Sequence, residues 1–251
     1  MYKNQDLIYY KIFSGFENVI AFTSTKQTFN TLNPRFTGDT PEIFTNNRIL
    51  LAEKLMIKPD QLVFPRQTHT NCVAEISDIP ASEIKETDAL VTNKSGICLC
   101  VQTADCVPIL LYDPINNVIA AVHAGWRGTV KKIAEIAVQK MFHKYNSSPE
   151  NMVAAIGPSI CPEIYEVGNE VVEEVKNSIP NADIVHHKNS SGKYHVNLWE
   201  ANRQVLLENG LHESNIEILG ECSYTHDNKY FSARKEGIDT GRMVSGIMIL
   251  R

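Results

Sequence analysis

The chain has 251 residues, 43% of them hydrophobic, enough to build a substantial buried core in one domain spanning residues 1–251. Its formal net charge of −5 gives no general basic face, which excludes a duplex nucleic-acid partner on composition. No apolar run approaches the length of a membrane span and residues 1–6 carry neither a signal-peptide core nor a lipidation site, so the expectation is a cytoplasmic protein with no membrane partner.

Taken in order, the chain predicts a strand at 19–22, then a helix that begins at Thr40-Pro41 and runs to about Leu55. Leu62-Val63-Phe64 reads as a strand, followed by Gln67-Thr68-His69 and a second strand over 72–76. Residues 97–102 and 107–112 form two buried strands, interrupted by the polar Thr103-Ala104-Asp105 that leads into Cys106. The apolar run 118–122 enters His123 and then the turn Gly125-Trp126-Arg127-Gly128, where the glycines are expected to supply unusual backbone conformations and Thr129 to cap the next helix. That helix carries the stripe Val130, Ile133, Ala134, Ala137, Val138 and Met141. Open N–H groups at its start, beside Arg127, would hold a phosphate or carboxylate.

Further on come a strand at 153–156 and a loop through Gly157-Pro158 and Cys161-Pro162 that walls the pocket. Tyr165 to Gly168 then lead into a helix marked by Val171, Val172, Val175 and Ile179. The polar segment 181–193 predicts a surface loop or hairpin, with His186 and His187 on opposite sides of a strand. A helix over 197–209 is stopped by Gly210, a strand covers 216–219, and Thr240-Gly241-Arg242 turns into a last strand near 247–250. Strands outnumber helices without alternating with them, which predicts an α+β fold. Of the six cysteines, most lie in or beside apolar stretches, where a free thiol packs as a small hydrophobe.

On residue chemistry alone His69, Cys106 and His123 stand open between three readings. They are packed core residues, a thiolate nucleophile with a histidine base, or a mixed sulfur and nitrogen set for zinc or copper with one position left for water or substrate. Asp105 is either the natural acceptor for a ligating histidine or a turn residue with no chemistry. Gln67 is placed to hydrogen-bond a substrate, or to satisfy backbone.

Gln67-Thr68-His69, Thr87-Asp88-Ala89-Leu90-Val91-Thr92, Thr103-Ala104-Asp105-Cys106-Val107-Pro108 and His123-Ala124-Gly125-Trp126-Arg127-Gly128 occur in that order. They are followed by Gly157-Pro158-Ser159-Ile160 with Tyr165-Glu166-Val167-Gly168, and by Phe231-Ser232-Ala233-Arg234 with Thr240-Gly241-Arg242-Met243. In order and spacing these motifs resemble the YfiH family, also called the multicopper polyphenol oxidase or laccase-domain family, over roughly residues 15–251. The resemblance implies layered mixed sheets with helices outside, and one zinc or copper per chain held by His69, Cys106 and His123. It also implies purine nucleoside phosphorylase activity with accompanying adenosine deaminase activity, so the expected partners are a purine nucleoside and phosphate, with the chain a monomer or homodimer. Arg48, Arg127, Arg234 and Arg242 are the candidates to hold phosphate, Arg127 first.

Two departures from the family pattern stand out: Thr70 replaces the glycine usual after the histidine, and residues 23–30 replace a glycine-rich stretch. Some relatives are peptidoglycan editing factors, so an amidase or a cysteine hydrolase using Cys106 is the rival enzyme, and a purine or metal sensor without turnover is a third reading. The oxidase name fits poorly, because multicopper oxidases need dense histidine clusters and this chain offers one sparse site.

Overall fold

The computed structural model describes residues 6–29, 31–39 and 41–250. In chain order its elements are β1 (Leu7–Tyr9), β2 (Val19–Ser24), α1 (Pro41–Leu55), β3 (Leu62–Val63), β4 (Val73–Glu75), β5 (Ala89–Thr92), β6 (Cys98–Thr103), β7 (Val107–Asp113) and β8 (Val118–Ala124). After these come α2 (Trp126–Val130), α3 (Ile133–Tyr145), β9 (Val153–Ile156), β10 (Glu166–Val167), α4 (Asn169–Ser178), β11 (His186–Lys188), β12 (Tyr194–Val196), α5 (Leu198–Glu208), β13 (Ile216–Ile218), α6 (Ala233–Glu236) and β14 (Met243–Ile249).

Side-chain alternation along the strands sorts these elements into layers. In β8, Val118, Ala120 and Val122 join a core shared with α3, α4 and α5, whereas Ile119 and Ala121 point to the opposite face. That opposite face meets Leu99 and Val101 of β6 and Ile247 and Ile249 of β14, while Cys98, Cys100, Val244 and Met248 turn away toward Leu51 and Leu55 of α1. The result is helix, sheet, sheet, helix: an α+β architecture of mixed sheets with helices outside. The two large sheets have the orders β1-β2-β14-β6-β3 and β13-β9-β7-β8-β5-β4, and a small third sheet has the order β10-β12-β11. Antiparallel pairing dominates, and parallel pairs join β3 to β6, β4 to β5 and β13 to β9. Because both faces of each large sheet are covered, β7 and β8 are buried from end to end and read as continuous apolar runs rather than alternating ones.

Most expected elements fall where the pattern put them, with Thr40 outside the described residues. Asn197 caps α5 by accepting from the Glu200 N–H at 3.0 Å. The polar segment at 181–193 is a hairpin, β11 pairing with β12 across Gly192 at φ 80°. One correction concerns the stripe from Val130 to Met141, which is not one helix. Lys132 takes a left-handed φ of 54° and divides α2 from α3, and its ammonium reaches Glu208 on α5 at 3.0 Å. All six cysteines are free, and no described helix is long and apolar enough to cross a membrane.

Two connections pass from one large sheet to the other near a common corner. The β3–β4 loop carries Gln67, Thr68 and His69, and the three residues between β6 and β7 carry Ala104, Asp105 and Cys106. So short a crossing needs a sharp reversal, which Asp105 supplies at φ 88°.

Candidate active site

The corner gathers the three donors that the sequence singled out. His69 and Cys106 come from the two crossings and His123 from the end of β8; one ligating atom from each lies within 4.8 Å of the others. Cys106 Sγ stands 3.8 Å from His69 Nε2, and the two imidazole rings meet edge to face at 4.9 Å between centroids. His69 is exposed, Cys106 half-buried and His123 buried.

What holds them there is Asp88, the residue before β5. Its carboxylate is fully buried and accepts from His123 Nδ1 at 2.8 Å and from the His69 N–H at 3.0 Å through Oδ1. Its Oδ2 accepts from the N–H groups of Thr68 and Thr70, at 3.2 and 2.8 Å, and from the Thr70 hydroxyl at 2.8 Å. One carboxylate therefore fixes the ring of His123 and curls the backbone around His69, which sits at φ 60°. The expectation that Asp105 would orient a ligand is corrected: its carboxylate is occupied by Ser223 Oγ at 2.7 Å and the Arg234 N–H at 2.6 Å. Thr70 is accommodated because the left-handed residue is His69, not Thr70, and the extra hydroxyl adds a bond to Asp88.

The electrostatics follow from this packing. Burial opposes charge on all three groups, but mutual contacts prevail. Burial would raise the Cys106 thiol, yet His123 and then His69 bring it down to about 6. Burial would lower His123, yet Cys106 and Asp88 lift it to about 9. Burial would raise Asp88, yet His123 and Thr70 hold it at about 2. Without a metal, the pair at neutral pH is thiolate beside imidazolium.

The donor set fits a single zinc or copper. Tetrahedral zinc, with Zn–N of ~2.0–2.1 Å and Zn–S of ~2.3 Å, needs donor separations of about 3.3–3.6 Å; Cys106 and His69 stand near that at 3.8 Å, and the whole set, within 4.8 Å, would draw in around an ion. His123 keeps Nε2 for the ion because its Nδ1 is held by Asp88, the usual support for a ligating histidine. Gly125 completes the cradle: a Cβ there would meet Cys106 Sγ and His69 Cδ2, each at 3.0 Å. This corrects the reading of the glycine turn. Gly125 has an ordinary φ of −65° and is itself the N-cap of α2; glycine is needed for room, not for an unusual conformation. Thr129 is not the cap but lies inside α2, its hydroxyl accepting from Asn202 at 3.0 Å. Gly125→Ala is expected to keep the fold but cut metal affinity about 10–100-fold, the range for disturbed ligand support, as read by competition with a chromogenic chelator.

Beside the donors opens a cleft of about 590 Å³. Gln67, Arg234 and Arg242 line it, together with Tyr165, from the segment read as walling the pocket, and Arg35, which the sequence reading did not select. Gln67 clips the two crossings together, its amide giving to the Gln102 carbonyl at 2.8 Å and accepting the Gln102 N–H at 2.7 Å. Burial, and next the Cys106 charge, push the Tyr165 phenol up, so it is a neutral donor. Arg48 and Arg127 are not among the lining residues. Arg48 lies between the Phe44 and Phe64 rings, bonded to the Phe36 carbonyl at 2.7 Å and to Glu83 at 3.3 Å. Arg127 is exposed and stacks 4.5 Å from the Trp126 ring.

Paired mixed sheets under flanking helices, with a His/Cys/His corner opening on a cleft, define an α+β protein of the YfiH class. The same architecture is seen in the crystal structure of the Bacillus licheniformis hypothetical protein YfiH, at a TM-score of 0.89 and 29% identity over 98% of this chain and 97% of that one. The chain belongs to the family described as multi-copper polyphenol oxidoreductase laccase, whose sequence profile matches residues 21–250. It is 39% identical to a purine nucleoside phosphorylase of Bacteroides thetaiotaomicron across 98% of this chain and 97% of that protein. It is 40% identical to adenosine deaminase RL5, from an unknown prokaryotic organism, across 92% and 94%. The resemblance read from the ordered motifs is thus borne out. Among the described residues the only metal-ready His/Cys/Asp/Glu group is the His69, Cys106, His123 set, fewer donors than the family's description suggests.

Proposed function

We propose that the chain is a cytoplasmic, metal-dependent purine nucleoside phosphorylase that splits adenosine or inosine with phosphate into free base and ribose 1-phosphate, with adenosine deamination as a second reaction at the same centre. The observation that carries this reading is a set of three guanidinium groups beside the donors, those of Arg35, Arg234 and Arg242, that lack a direct ion-pair partner among the described residues. Their partners are carbonyls: Ile238 for Arg35 at 3.0 Å and for Arg242 at 2.9 Å, and Glu166 for Arg234 at 3.3 Å. Burial, and next the charge of Arg35, bring Arg242 down to about 10. Like charges held together in an acidic protein are relieved by an anion, and the forked donors of arginine match phosphate. The names carried by relatives, purine nucleoside phosphorylase and adenosine deaminase, support the same substrate class.

His69, Cys106 and His123 would hold a zinc or copper, which would supply Lewis acidity beside the cleft. In this reading Arg35 and Arg242 bind the phosphate, and Arg234, fixed through its N–H to Asp105, borders the ribose. Gln67 keeps one amide proton free for a sugar hydroxyl.

The test is product analysis of inosine and adenosine with and without phosphate. Ribose 1-phosphate is expected only with phosphate; cleavage of inosine that continues unchanged without it would make the reaction hydrolysis and overturn the assignment. Arg242→Ala is expected to raise the KM for phosphate about tenfold or more, one charge-assisted contact being worth ~1.5–3 kcal/mol. Arg127, whose charge reaches Tyr165 of the cleft wall, is the fourth candidate, and Arg127→Ala in the same assay is expected to raise the phosphate KM if it too contacts the anion.

A further inference from the structure

Four tyrosines are buried, Tyr10, Tyr112 and Tyr230 at 2% exposure or less and Tyr165 at 9%, where it borders the cleft. Three of them hydrogen-bond through the phenol, Tyr10 to Thr23, Tyr112 to Asn18 and Tyr230 to Glu221, as buried phenols generally do. The Tyr165 hydroxyl has no such partner among the described residues, and Tyr165 lines the cleft. Its position is well fixed. The backbone N–H bonds to the Cys161 carbonyl at 2.9 Å, the carbonyl accepts from Val196 at 3.2 Å, and the Arg234 guanidinium lies 5.4 Å from the ring centre. Of the other hydroxyls on the wall, Thr103 Oγ1 is sealed from solvent, and Thr37 Oγ1 accepts from the Gln102 amide at 2.8 Å and keeps its own proton, but an aliphatic alcohol is a weaker acid than a phenol.

We propose that Tyr165 is a catalytic residue whose hydroxyl donates a hydrogen bond to ring nitrogen N7 of the departing purine. The inference rests on the phosphorolysis reading above. In that reaction the C1′–N9 electron pair leaves with the base while an oxygen of hydrogenphosphate forms the new bond to C1′. The base must gain one proton and the phosphate must lose one. Tyr165 gives its proton at N7 and takes the phosphate's in return, so that charge and protons balance and the phenol is restored. The arginines cannot fill this role, since guanidinium does not give up its proton in proteins.

The experiment compares inosine with 7-methylinosine, whose purine already carries the positive charge that N7 protonation confers. Tyr165→Phe keeps the ring and its contact with Arg234. It is expected to lose about 10²-fold or more in kcat/KM for inosine, the lower end of proton-transfer contributions, while staying within about threefold of the native enzyme on 7-methylinosine. Activity on the methylated nucleoside also shows that the variant is folded. Equal losses on both substrates would reduce Tyr165 to a packing role, and no loss on either would remove it from the reaction; both outcomes overturn the proposal and leave phosphorolysis standing. Failure of the native enzyme to use phosphate with either nucleoside would instead defeat the reading on which the proposal rests.

Discussion

Asp88→Ala is expected to abolish metal retention, reduce activity at least 100-fold and cost about 3–5 kcal/mol of stability, the range for a buried charged group whose partners are left behind. The size of the effect follows from the number of groups that one carboxylate serves. Its loss strands three backbone N–H groups and the Nδ1 of His123, and each buried donor without a partner costs ~1–3 kcal/mol. The left-handed turn at His69 then has nothing to hold it. Asp88→Asn separates the two roles, because its amide oxygen still accepts from part of the loop while its NH₂ faces donors. It should recover part of the stability and little of the metal. Elemental analysis and denaturant midpoints on both variants check this, and Asp88→Ala protein with full metal content and activity would sink it.

Cys106→Ser is expected to lose both metal and turnover, because a hydroxyl is a far poorer soft donor than a thiolate. That result alone does not separate a ligand from a nucleophile, since a thiolate already formed near pH 6 is also what a cysteine hydrolase needs. Alkylation does. In metal-stripped protein the iodoacetamide rate at Cys106 should rise with pH through about 6, well below the range of an ordinary thiol. In metal-loaded protein it should be suppressed across that range and return on chelation. His69→Ala should lose metal as Cys106→Ser does. Rapid alkylation of fully loaded protein, with activity that survives a chelator, would transfer the chemistry to a cysteine hydrolase.

The sequence was most legible where apolar pattern and local chemistry coincide. Residues 118–122 enter His123 as a strand buried on both faces, and the polar break at 103–105 is the crossing that delivers Cys106. Orientation of the ligand was less legible. Asp105 adjoins Cys106 in the chain and was the obvious choice to support a histidine, but its left-handed backbone sends the carboxylate toward Ser223 and Arg234. Asp88 does the work from another strand, and only the pairing of β5 with β8 brings it to His123, whose N–H also bonds the Asp88 carbonyl at 2.8 Å. Arg127 drew attention because glycines flank it; Gly125 is explained by the sulfur and imidazole pressed against it, which no local pattern reveals. Arg35 sits in an irregular segment without periodicity, so nothing in the sequence marked it as facing the cleft.

The two crossings at the corner have a mechanical consequence. His69 and Cys106 sit on separate spans between the same two sheets, and His123 belongs to one of those sheets. An ion shared by all three would therefore tie the two crossings to each other and to the end of β8. Any sliding of one sheet over the other would change the bite of the donors, so metal affinity and the rigidity of the sandwich become two readings of a single coordinate.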